Sequence, residues 1–114
     1  MSKLTQGVSH VGISVRDVDE SLKFFEALGF NKVGGDDKYP SVFVSDGTSM
    51  ITLWQTDANP TAFDRRKNIG LHHLAIRVTS REALDEAYKI VSDIPGVRTD
   101  GEGAFAPQPL GTTT

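Results

Sequence analysis

The sequence contains no cysteine among its 114 residues, which excludes disulfides, thiol nucleophiles and thiolate metal sites. Any metal must therefore be held by histidine, carboxylate, hydroxyl or water. Long apolar stretches are also missing, because no run approaches the roughly 18 residues that a membrane span needs. Residues 1–6 lack the apolar core of a secretion signal. We therefore expect a cytoplasmic protein with no membrane partner.

Basic residues do not outnumber acidic ones. The formal net charge is −3, so nucleic acid, which binds through clustered lysine and arginine, is not an expected partner. Hydrophobic residues make up 38% of the chain and charged residues 24%, which is the composition of an ordinary globular protein. The length fits one domain, residues 1–114, with a modest core.

One pattern occurs twice in the chain. The segment Ser-His-Val-Gly-Ile-Ser-Val at 9–15 is matched by His-His-Leu-Ala-Ile-Arg-Val at 72–78. Each copy alternates as a strand does, and each is followed by a polar turn and an amphipathic helix. An internal repeat of this length indicates two copies of one supersecondary unit. It also places His10 and His73 on equivalent strands, where two imidazoles can be aimed at one point.

The first unit reads as β-α-β-β-β over residues 1–57. Asp17 or Asp19 can cap its helix, and Gly29 is a natural left-handed stop for it. Alternation in the first strand separates an apolar face from the small, polar face that carries His10. The predicted strands are 8–15, 30–33, 41–44 and 50–55, with a turn at 34–37.

The second unit is shorter than the first. A polar linker over 58–70, with a helical turn within 61–66, leads to a partial unit over 71–114. Its predicted elements are a strand from Leu71 through residue 78, a helix capped by Ser80, and a strand starting at Val97. Two further strands would complete the repeat, and the printed sequence does not contain them.

These residues resemble the vicinal oxygen chelate superfamily, which includes glyoxalase I, extradiol dioxygenases and bleomycin resistance proteins. The resemblance is carried by the first repeat at 8–15, by Ser-Leu-Lys-Phe-Phe at 21–25, by Leu-Gly-Phe at 28–30 and by the Pro-rich stretch 106–111. It implies an α+β fold in which paired βαβββ modules form a curved open barrel around a divalent metal, with the second module incomplete here.

The resemblance also implies site residues. His10 and His73 match the ligands on the first strand of each module, and Zn, Ni, Fe, Mn or Co would suit imidazole with oxygen ligands. Thr52 stands where glyoxalase-like members have a glutamate. Arg77, Trp54 and Thr52 would contact the substrate, although Arg77 can equally extend to solvent and Trp54 can equally serve core or dimer packing. No catalytic residue is assigned, and His72 is read as structural.

Three readings of the function follow as expectations. The first is a glyoxalase- or dioxygenase-like, metal-dependent enzyme of lyase, isomerase or dioxygenase type that acts on a small oxygenated substrate. The alternative is a metal-free protein of the bleomycin-resistance type that binds a small molecule or drug; a third reading is a degenerate member kept as an interaction module. The resemblance implies a homodimer. The strands at Leu71 and Val97 lack neighbours, and three explanations are open: a C-terminal tail with the last two strands and a ligand carboxylate, strands exchanged with a partner chain, or a truncated product with a rearranged second half. We expect one of the first two.

Overall fold

The computed structural model describes residues 4–98, which divide into two units on either side of the Pro60–Thr61 junction. The first unit contains β1 (Val11–Val15), α1 (Val18–Ala27), β2 (Asn31–Asp36), β3 (Ser41–Ser45) and β4 (Met50–Gln55), and the second contains α2 (Arg81–Ser92). The predicted α+β class is confirmed, and the first unit is a βαβββ module. Neither helix in the described part of the chain has the length and apolar character needed to cross a bilayer.

The four strands form one open sheet in the order β1-β4-β3-β2. β1 and β4 are parallel, with Gly12 opposite Thr52, whereas β4–β3 and β3–β2 are antiparallel, with Thr52 opposite Phe43. A parallel neighbour requires a crossover connection, and here α1, β2 and β3 together make it.

Helix α1 starts where an acidic cap is available and stops at a glycine. The Asp17 carboxylate accepts hydrogen bonds from Asp19 N at 2.9 Å and Glu20 N at 3.1 Å, so Asp17 is the cap. Gly29 follows the last turn with φ 99°, a conformation that side chains other than glycine adopt at a cost.

The core of the first unit consists of apolar residues from α1, the chain that follows it and the central strands. Phe25 and Phe30 meet edge to face with ring centroids 5.2 Å apart. The buried apolar residues of this unit are Val18, Phe25, Phe30, Val42, Val44, Ile51 and Leu53.

The predicted turn at 34–37 is wrong, because Gly34 and Gly35 belong to β2. The register shifts by one residue between Lys32 and Gly34, which is the signature of a β-bulge. Gly35 has φ 151°, and a Cβ there would lie 2.5 Å from the carbonyl oxygen of Ser41. The glycine pair therefore permits a bulged edge strand, and the turn follows at 37–40.

In the second unit, the predicted strand over 71–78 is not formed. Leu71 and Leu74 are 51% and 38% exposed. A strand is stable where a neighbouring strand takes its backbone hydrogen bonds, and the described residues supply none to this segment. Helix α2 is formed as predicted, with the Ser80 hydroxyl accepting a hydrogen bond from Ala83 N at 3.0 Å. Val97 and Arg98 are not in a strand either; residues 99–114, including the Pro-rich stretch, lie outside the described residues.

Candidate functional site

The face of the sheet opposite the apolar core carries small, polar and aromatic side chains. Register places Gly12 beside Thr52 and Ser14 beside Trp54, and on the other side of β4 it places Phe43 beside Thr52. This set, Gly12, Ser14, Phe43, Thr52 and Trp54, is called the open face below. It is the face that alternation assigns to His10, although His10 itself precedes β1.

Trp54 is held in place on the open face by its neighbours. Its indole Nε1–H donates to the Thr52 hydroxyl at 2.9 Å, and that hydroxyl lies 3.5 Å from the carbonyl oxygen of Val11. The Phe43 ring lies against it with centroids 5.9 Å apart and planes tilted by 51°. Thr52 is 3% exposed while Trp54 is 40% exposed. The indole therefore presents a ring surface whose polar atom is already satisfied inside the protein.

Gly12 provides the space that this arrangement needs. A Cβ at position 12 would lie 3.1 Å from the Thr52 hydroxyl and 3.4 Å from Trp54 Nε1. A contact of 3.1 Å is closer than ordinary van der Waals separation, so any larger residue would press on the hydrogen bond that fixes the indole. Glycine inside a strand often marks such a close approach.

The histidines lie outside regular structure. His10 is exposed and its Nδ1 lies 3.2 Å from the hydroxyl of Ser9. In the second unit, His72 and His73 are exposed neighbours whose Nδ1 atoms lie 2.9 Å apart. Arg77 is exposed as well. Over residues 4–98, no three histidine, aspartate or glutamate side chains are grouped closely enough to hold a metal ion.

Sequence comparison gives the family. The sequence model of the Glyoxalase/Bleomycin resistance protein/Dioxygenase superfamily matches residues 7–96. The chain belongs to this superfamily. Among the solved structures, a hypothetical protein from S. aureus is similar with a TM-score of 0.52 and 16% identity, covering 82% of this chain and 72% of the other. At that identity the likeness shows the fold alone. No curated protein matches the chain significantly.

Within this superfamily fold, the predicted site residues separate into two groups. Thr52 and Trp54 are in direct contact on the open face, whereas His73 and Arg77 belong to the second unit. Gly12 and Phe43 were not predicted as site residues. The glycine in the middle of an otherwise regular strand was the available signal for the first; Phe43 becomes visible only through the β3–β4 register.

The metal expected for the superfamily can be tested against these residues. The resemblance aligns Thr52 with the glutamate of glyoxalase-like members, and the Thr52 hydroxyl is already engaged with Trp54 Nε1 and Val11 O. A neutral hydroxyl with both neighbours in place is a weak metal ligand. The described residues therefore do not fit a complete divalent metal centre, and two imidazoles remain as the ligand candidates.

Proposed function

We propose that this superfamily member binds a planar, aromatic small molecule on the open face of its first unit, without a metal. The observation that supports this proposal is the Trp54 indole, which is 40% exposed yet fixed by Thr52 and Phe43. A ring held in place loses little freedom when a ligand stacks on it, so more of the stacking energy appears as affinity.

The chemistry of the open face favours stacking over polar recognition. Because Trp54 Nε1 is bonded to Thr52, the exposed part of the indole offers its π surface. Aromatic pairs with centroids 4.5–7 Å apart contribute about 0.5–1.5 kcal/mol beyond area burial. Gly12 and Ser14 add little bulk beside the indole, which leaves room for a flat ligand. None of its five residues is charged, and the carboxylate that shares this side of the sheet, Asp36, lies on the edge strand opposite Ser41.

Fluorescence titration tests this function directly, since Trp54 is the single tryptophan of the sequence. The probe is proflavine, a planar cationic dye, added in the presence and absence of EDTA. We expect saturable quenching of Trp54 that EDTA leaves unchanged. Absence of saturable quenching, or quenching abolished by EDTA, would refute metal-free binding at this face.

A matched pair of variants locates the binding. Phe43→Leu removes the ring that supports Trp54, while Phe63→Leu removes an exposed ring, 51% accessible, in the second unit. Phe43→Leu should weaken binding about fivefold, the equivalent of about 1 kcal/mol. Phe63→Leu should leave it unchanged, and equal effects of the two variants would count against the open face as the site.

A metal-dependent enzyme is the second candidate function. It is favoured by the imidazoles of His10 and His73, each of which has its Nδ1 engaged by an adjacent side chain, so that Nε2 remains for a metal. The test is the metal content after loading with Zn, Ni, Mn or Fe. If the wild type retains no more metal than the double variant His10→Ala, His73→Ala, this function is ruled out.

A further inference from the structure

A recess lies at the carboxyl ends of the two parallel strands, and its lining shares no residue with the open face. It is lined by residue 16, which follows β1, and by residues 55–60, which end and follow β4, and its volume is about 540 Å³. This size suits a small molecule. The carboxyl edge of a parallel strand pair is a common place for ligands in open sheets.

Hydrogen bonds from both ends of the Gln55 side-chain amide hold the backbone around the recess. Its Oε1 accepts from Val18 N at 2.9 Å, and its Nε2 donates to the carbonyl oxygen of Arg16 at 2.8 Å. Thr56 N donates to the carbonyl oxygen of Val15 at 2.9 Å, which extends the parallel pairing by one residue. The backbone that carries Arg16 and Thr56 is therefore fixed relative to both strands and to α1.

Two opposite charges line this recess without neutralising each other. Arg16 and Asp57 both contribute to its wall, yet within residues 4–98 neither forms an ion pair or a side-chain hydrogen bond. A guanidinium prefers a carboxylate as a bidentate partner, and a carboxylate prefers an ammonium group. A ligand that carries both groups would satisfy both walls at once.

Thr56 also lines the recess. Its hydroxyl oxygen is buried and has no hydrogen-bond partner in the described part of the chain. Buried hydroxyls without a partner are uncommon, because each costs about 1–3 kcal/mol. Asn59, which also lines the recess, has φ 61°, a conformation that is uncommon outside glycine and that asparagine adopts more readily than most residues.

We propose that this recess binds a small zwitterion with an amino and a carboxylate group, and that it is separate from the proposed stacking site. Arg16 receives the carboxylate and Asp57 receives the ammonium. A ligand with one charge leaves the opposite wall unpaired, so both charges are needed for full affinity.

Isothermal titration calorimetry tests the assignment with glycine, β-alanine and γ-aminobutyrate, in which the two charges are progressively further apart. We expect one of the three to bind with a Kd below about 1 mM, and acetate and methylammonium to bind at least about tenfold more weakly. No saturation by any zwitterion up to about 10 mM would overturn the proposal. Acetate binding as tightly as the best zwitterion would also overturn it, since Asp57 would then have no role.

Charge-removing variants identify the residues. Arg16→Gln and Asp57→Asn should each weaken the best zwitterion at least about tenfold. Lys32→Gln and Asp37→Asn are the matched controls, because both side chains are exposed on the same unit and outside the recess. The controls should leave the Kd unchanged, and losses equal to those at Arg16 and Asp57 would reduce the effect to overall charge. Trp54→Leu should also leave the Kd of the zwitterion unchanged. Failure of the proposed stacking site would therefore not count against the zwitterion site, nor the reverse.

Discussion

Replacing Thr52 with valine removes one hydroxyl and keeps the shape of the side chain. The hydroxyl accepts the Trp54 Nε1–H at 2.9 Å from a position that is 3% exposed. A net hydrogen bond of this kind is worth about 0.5–1.5 kcal/mol. The second contact, to Val11 O at 3.5 Å, is at the limit of hydrogen bonding and adds little.

The loss in Thr52→Val should stay in the lower part of that range. Trp54 is 40% exposed, so its Nε1–H can turn toward water and does not bear the full cost of an unpaired buried donor. The new methyl group also gains burial. We therefore expect the free energy of unfolding to fall by about 0.5–1 kcal/mol, which lowers the Tm by a few degrees in a chain of this size.

The affinity for proflavine should respond to the same change, because the indole is no longer anchored. We expect thermal unfolding by circular dichroism to show the small shift and fluorescence titration to show binding about fivefold weaker. Thr52→Ser is the control, since it keeps the hydroxyl and should keep the affinity. Unchanged affinity in Thr52→Val, or equal losses in both variants, would refute the anchoring role of this hydroxyl.

Three further predictions concern stability. Ser41→Ala removes a buried hydroxyl that has no partner in the described residues, so urea unfolding should show stability equal to or above wild type; clear destabilisation would show that the hydroxyl is satisfied. Backbone N–H groups of Ser49 and Thr48 lower the pKa of Asp46 below its ordinary 3.8. The stabilisation is therefore complete above the unfolded pKa and lost as the pH falls through the folded pKa. The stability advantage over Asp46→Asn should therefore shrink as the pH is lowered below that ordinary value, and a constant difference would contradict this. Leu53→Ala empties a fully buried position and should cost about 2–5 kcal/mol by urea denaturation, and a loss under 1 kcal/mol would place Leu53 outside the core.

Much of the first unit is predictable because its signals are local. The Asp17 cap and the Gly29 stop bound α1, and alternation over residues 50–55 gives the whole of β4. The glycines at 34 and 35 mislead, because such pairs are typical of turns. Their place in β2 depends on the carbonyl of Ser41 in the neighbouring strand, which lies beyond the reach of a local pattern.

The second unit shows the limit of periodicity. Residues 72–78 have almost the same pattern as 9–15, yet only the first copy contains a strand, from Val11 onward. Periodicity describes which face a strand would bury, whereas the strand itself depends on a neighbour that takes its hydrogen bonds. β1 has β4 as that neighbour. Which strand pairs with β1 depends on the topology of the sheet, and the sequence of β1 alone does not determine it.

The candidate site was predictable from the sequence only where its residues lie on the same strand. Alternation correctly grouped Thr52 with Trp54, because both lie on one strand. Phe43 lies beside them because of the antiparallel register of β3 and β4, and Gly12 because of the parallel register of β1 and β4. The pattern of a single strand does not reveal the register between two strands. The prediction that the repeated histidines bind a metal remains a prediction.

The parallel pairing of β1 has a consequence for synthesis of the protein on the ribosome. β1 precedes the other three strands of the sheet in the chain, and among the described residues its neighbour is β4, whose paired residues follow about 40 positions later. At about 5–20 residues per second, roughly 2–8 s pass between the synthesis of β1 and the synthesis of β4. During that interval its backbone can pair with any other extended chain. β1 is thus made before the strand that takes its hydrogen bonds, and its backbone stays without a partner in this sheet until β4 has been added.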